Sequence, residues 1–166
     1  MTIEELKHII LPYIDGPIIN FLIEKQIFSE NNGREIFNKK IREKVDKKFG
    51  VYIWVDNASN EVVYIGMAGK IKTDGTLGDH SIQNRLLASR GKDKSTKKDI
   101  QTNDYVRDFM LTNNIETLNF YIIYSKTEEP PAFVEALLLY NYYKKNNRLP
   151  KLNNSFWQTI KPAHNS

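Results

Sequence analysis

Gly50-Val51-Tyr52-Ile53-Trp54 is followed, across the polar segment Asp56-Asn57-Ala58-Ser59-Asn60-Glu61, by Val62-Val63-Tyr64-Ile65-Gly66. Both runs are built of β-branched and aromatic residues, which pack well on a pleated surface, and the segment between them is rich in turn formers. The pattern reads as two strands joined by a turn. Side chains alternate faces along a strand, so Tyr52 and Trp54 share one side, and Tyr64 and Gly66 share a side of the second strand. A hairpin therefore brings the phenols of Tyr52 and Tyr64, twelve positions apart, to the same end of a small sheet.

Upstream, residues 2–48 read as helical. Thr2 with Glu5 three positions later is a capping-box pattern opening a helix over Ile3 to Ile10. Pro12 and Asp15-Gly16-Pro17 break it, and a helix restarts over Ile18 to Ile27. After the turn Asn31-Asn32-Gly33, the apolar residues Ile36, Phe37, Ile41, Val45 and Phe49 recur at near-helical spacing between lysines and acids. Downstream, Ser81 caps a short helix from Ile82 to about Arg90, and the polar, basic stretch Gly91 to Thr102 reads as a loop. A helix starts at Asn103 or Asp104, a third strand runs Thr117 to Tyr124, and Pro130-Pro131 opens a helix to about Asn146. The order helix, β-β, α, α, β, α predicts an α+β fold with a small three-stranded sheet flanked by helices. It divides into an N-terminal helical extension (1–48), a core domain (49–156) and a C-terminal tail (157–166).

Composition bounds the function. A chain of 166 residues, 40% hydrophobic, buries a core without staples. It has no cysteine, which excludes disulfides and thiolate metal sites. The apolar run from Ile9 to Ile23 is interrupted by Pro12, Asp15, Gly16 and Pro17 and is too short to span a bilayer. No signal peptide is visible, and a cytoplasmic location is expected. The net charge is +4, with one basic group ahead of the first strand (Arg34 to Lys48) and another at Arg90, Lys92, Lys94, Lys97 and Lys98. Such clusters serve either as solvated faces or as contacts to a phosphate backbone.

Two residues on the helices stand out. Glu135 has Pro131, Ala132, Leu138 and Leu139 as its helical neighbours. A carboxylate on an apolar face is costly unless it is ion-paired, with Arg85 as the candidate partner, or bound to a metal. Arg85 lies at the margin of the Ile82 and Leu86 stripe, and its planar fork suits a phosphate because it donates two parallel bonds and keeps its charge. A surface arginine would look the same.

Gly50-Val51-Tyr52, Tyr64-Ile65-Gly66, Arg85, Glu135 and Leu152-Asn153, in that order, resemble the GIY-YIG nuclease family. Its members show two tyrosine tripeptides, a helix with an arginine, a helix with a glutamate, and an asparagine near the end of the domain. The resemblance covers roughly residues 49–156. It implies a metal-dependent phosphodiesterase acting on double-stranded DNA. On that reading Glu135 holds Mg²⁺, with Mn²⁺ able to substitute, and Arg85 clamps the scissile phosphate. Tyr52 is general base, Tyr64 orients the water or phosphate, and the two phenols are open to exchange of roles. Asn153, or Asn154 in its place, holds the site's loop through its amide. Phosphodiester hydrolysis needs these parts independently: an activated water, charge neutralisation and help for the departing oxygen. Lys70, Arg90, Lys92 and Lys94 are candidate DNA contacts. The chain departs from the family at Met67, where a polar residue is common, at Ser89, where some members have histidine, and in the insertion Ile71 to His80.

The small size, absence of an obvious second catalytic or zinc-binding domain, and added N-terminal segment make a stand-alone, restriction-type member the leading expectation. Double-strand cleavage by one site per chain then requires a homodimer or sequential nicks. The alternatives are a repair or mobile-element nuclease of the same family, and a non-catalytic nucleic-acid-binding module.

Overall fold

Thr2 and Glu5 close their capping box: the Thr2 hydroxyl accepts from the Glu5 N–H and the Glu5 carboxylate accepts from the Thr2 N–H. Helix α1 (Ile3–Ile10) follows, burying Leu6 and Ile10, and Pro12 enters a short 3₁₀ turn. The computed structural model describes residues 1–76, 78, 80–92 and 97–153. Lys94, Asn154 and the tail 157–166 lie outside the described residues.

Beyond Pro17 the chain does not restart as a helix. Ile19–Glu24 is a strand, β1, with Phe21 and Ile23 buried and Asn20, Leu22 and Glu24 exposed. That two-residue alternation corrects the expected helix over 18–27, of which only Lys25 to Ile27 are helical, as part of a 3₁₀ turn (Lys25–Ser29). Helix α2 (Gly33–Lys44) buries Phe37 and Ile41, as its spacing predicts. Strands β2 (Gly50–Asp56) and β3 (Glu61–Ala68) form the expected hairpin, whose turn is held by Asp56 accepting from the Ala58 N–H and the Ser59 hydroxyl.

Helix α3 (Ile82–Leu87) is capped by Ser81 and ends sooner than expected. What reads as a loop after it is a small hairpin of β4 (Ser89–Lys92) and β5 (Asp99–Gln101). Helix α4 (Thr102–Thr112), strand β6 (Thr117–Tyr124) and helix α5 (Pro131–Asn146) follow, close to their predicted bounds.

The main sheet has four antiparallel strands, ordered β1-β6-β2-β3, in place of the three predicted. The extra strand comes from the N-terminal segment, which therefore enters the central sheet and is not a helical extension alone. Helices cover both faces. Tyr52, Trp54, Phe120 and Ile122 pack against residues of α2, α3 and α4, while Val51, Ile53 and Ile65 pack against residues of α1 and α5. Strand β2 is central and its first six residues are buried, so its odd and even positions serve two different cores. Among the described residues no helix is long and apolar enough to cross a membrane.

Candidate active site

Two glycines set the geometry of the tyrosine pair. Gly50 has φ +151°, outside the range of ordinary side chains, and a Cβ there would collide with the Ile123 carbonyl. Gly66 lies opposite Tyr52 on β3, and a Cβ on it would stand 2.6 Å from Tyr64 Cε1 and 2.9 Å from Tyr52 Cζ. The missing side chain is what lets both rings lie over that spot. The ring centroids of Tyr52 and Tyr64 are 5.8 Å apart, and Trp54, directly opposite Tyr64, stacks on Phe120 beneath them.

The two phenols differ in environment. Tyr52 is 0% exposed, whereas Tyr64 is half-buried. Burial, and then the neighbouring Tyr64 phenol, push the Tyr52 ionisation well above the ordinary tyrosine range, while Arg90 and Arg85 pull it back.

Arg85 is exposed on α3. The helix is fixed under it by Gln83, whose side chain donates to the Val45 carbonyl at 2.6 Å, and by the Ile82 N–H donating to the Lys48 carbonyl at 2.9 Å. Glu135 sits in the second turn of α5, between the buried Val134 and the half-buried Ala136. Burial raises its carboxyl to about 7, against a downward pull from Arg85. Helices α3 and α5 lie on opposite faces of the sheet and both touch β3. Arg85 thus acts as a charge on both Tyr52 and Glu135, and it does so on Glu135 through charge alone.

Asn153 clips the far side of β3. Its Oδ1 accepts from the Ile65 N–H at 2.9 Å and its Nδ2 donates to the Ile65 carbonyl at 2.7 Å, while the Leu152 N–H donates to the Val63 carbonyl at 2.9 Å. The segment after α5 therefore covers the sheet's outer edge on either side of Tyr64.

The remaining expected contacts are placed less centrally. Lys70 and Lys92 are exposed. Arg90 is half-buried, and its guanidinium turns inward: its Cζ is 4.7, 4.6 and 4.9 Å from the ring centroids of Trp54, Tyr64 and Tyr105. Its Nη2 donates to the Tyr52 hydroxyl at 3.3 Å. Sequence reading missed this cage. Trp54 sharing a face with Tyr52 was a visible hint, but Tyr105 and Arg90 come from elements with no local signal of contact.

Glu135 is the carboxylate that could hold a metal ion at this site. Among the described residues no group of three or more His, Asp or Glu side chains gathers in one place, and Glu135 offers a single carboxylate. One carboxylate completed by waters and a substrate phosphate is how Mg²⁺ is commonly held, whereas a site needing several protein ligands is not formed among the described residues. A cavity of about 540 Å³ opens where β2 and α5 begin, lined by Lys48, Phe49, Tyr124, Lys126 and Pro131 among others. Tyr52, Tyr64, Arg85, Glu135 and Asn153 do not line it; Tyr52 and Tyr64 meet on the face packed by α3, and Glu135 comes with α5 from the other face.

Comparison of the chain with family models, with curated proteins and with solved structures returned no match.

Proposed function

We propose that this protein is a divalent-metal-dependent endonuclease that hydrolyses phosphodiester bonds of double-stranded DNA, in the manner of a sequence-specific restriction enzyme. The observation that carries the reading is the close pairing of the Tyr52 and Tyr64 rings over Gly66, with an arginine donating to the Tyr52 hydroxyl, and with α3 carrying Arg85 near enough to act as a charge on both Tyr52 and Glu135. A base, an anion clamp and a metal ligand drawn from β2, α3 and α5 are what in-line attack on a phosphate requires.

In this proposal Arg85, exposed and permanently charged, takes two oxygens of the scissile phosphate. Glu135 holds Mg²⁺, which supplies charge neutralisation at the phosphate and the departing oxygen. Tyr64, the less buried of the two, touches the attacking water and orients it. Tyr52 lies behind it and acts as base in its ionised form: the Tyr64 hydroxyl takes the water's proton as it passes its own to the Tyr52 phenolate, which sits beside an arginine charge. Asn153 keeps Tyr64 in place by fixing the backbone of the next residue, Ile65. The exposed lysines contribute sequence-independent backbone contact.

Incubating supercoiled plasmid with the protein, with Mg²⁺ or with chelator, tests the reading. Discrete fragments that need the metal and disappear in Glu135→Ala support the restriction-type proposal. Nicks or smears with the same dependence place the activity with repair or mobile-element nucleases. Retention of DNA with no cutting overturns the enzyme reading in favour of a binding module.

A further inference from the structure

The β4–β5 hairpin sends one charged side chain back into the protein. Arg90 enters an aromatic box made by Trp54 of β2, Tyr64 of β3 and Tyr105 of α4, with its Cζ within 4.9 Å of all three ring centroids. Its Nε is buried and has no hydrogen-bond partner among the described residues. Its Nη2 donates to the Tyr52 hydroxyl at 3.3 Å. Stacking of a guanidinium among ring faces is favourable, and it also fixes the direction in which the fork points. Here it points at one oxygen.

The groups acting on the Tyr52 phenol are Tyr64 from β3, Arg85 from α3 and Arg90 from β4, and Tyr105 of α4 packs against Arg90. Both charged members are arginines, but they are placed differently. Arg85 is exposed and is shared with Glu135, which leaves its fork available to a phosphate. Arg90 is spent inside the protein and meets the oxygen itself. A phenol that accepts a hydrogen bond from a guanidinium gains a charge-assisted partner once it ionises, and burial strengthens that partnership.

We propose that Arg90 is a positioning residue for Tyr52: wedged between Trp54, Tyr64 and Tyr105, its guanidinium orients the Tyr52 hydroxyl and supplies the fixed positive charge beside which that phenol gives up its proton. The proposal rests on the nuclease reading for its catalytic meaning. The hydrogen bond and its effect on the phenol stand apart from that reading.

The test uses two readouts. In the first, 3,5-difluorotyrosine replaces the residue at position 52, and its ionisation is followed by ¹⁹F NMR in the otherwise native protein, in Arg90→Met and in Arg90→Lys. Arg90→Met keeps the length and packing without charge. It is expected to weaken the acidity of that phenol about tenfold, and Arg90→Lys, which keeps the charge without the fork, by less. In the second, single-turnover plasmid cleavage is measured against pH. The rising limb is expected to move to higher pH in Arg90→Met, with cleavage recovering as pH increases. A folded Arg90→Met protein whose position-52 phenol ionises as in the native protein overturns the proposal and leaves Arg90 as a packing residue. If Arg90→Met does not fold, Arg90→Gln and Arg90→Lys carry the same comparison, Arg90→Gln being expected to show the larger effect. A native protein that never cuts DNA, but whose position-52 phenol responds to Arg90, refutes the nuclease reading while the Arg90–Tyr52 link stands.

Discussion

At the residue scale the costly group is Glu135, a carboxyl raised by burial from 4.5 to about 7. The native state then holds its proton at a pH where the unfolded chain has lost it. Its effect on stability is therefore absent below 4.5, grows as pH rises through that window and levels off above about 7. The accumulated penalty is roughly 3 kcal/mol, taking about 1.4 kcal/mol for each tenfold change in ionisation. Urea midpoints measured near pH 5 and near pH 8 should accordingly fall in the native protein and stay level in Glu135→Gln. Added Mg²⁺ should oppose the fall, because a bound cation favours the charged form. Equal slopes in the two proteins would show that Glu135 is well solvated. Its awkward position was legible in the sequence, since an acid surrounded by Ala132, Leu138 and Leu139 on a helix has few ways to be comfortable. The role of Arg90 was not legible. Its cage is assembled from β2, β3, β4 and α4, and nothing next to Arg90 in the chain records those neighbours.

Among the elements, β3 carries the argument. It is an outer strand of the sheet, holds Tyr64 on the side facing Tyr52, and is covered by the segment that carries Leu152 and Asn153. Asn153→Ala removes both side-chain bonds to Ile65 and should cost about 1–3 kcal/mol. It should also speed hydrogen exchange at the Ile65 amide specifically and slow cleavage by loosening Tyr64. Unchanged protection at Ile65 would mean that Asn153 does not hold the strand. The β2–β3 hairpin and β6 could be read directly, because each alternates β-branched and aromatic residues over a short span. Strand β1 could not, because the breakers before it and the apolar residues within it suit either a short helix or a strand. Its pairing with β6 joins residues about a hundred positions apart, a contact no local pattern encodes. The β4–β5 hairpin escaped for another reason. Its two short strands carry a single apolar residue between them, Ile100, so no apolar alternation marks them in the sequence.

For the molecule as a whole, the sheet separates two cores, and the candidate site forms where elements from both faces meet β3. Arg85 arrives on the face packed by α2, α3 and α4, and Glu135 arrives with α5 on the other. Neither helix has a reason of its own to place a charge there, so the two residues should work as one unit or not at all. Single-turnover cleavage by Arg85→Ala, Glu135→Ala and the double variant tests this most directly. Each single change should slow cutting by about a thousandfold, or roughly 4 kcal/mol of transition-state stabilisation. The double variant should be at most about tenfold slower than the worse single, because residues serving one phosphate are not independent. Native-rate cutting by either single variant, or losses that multiply in full, would contradict the account.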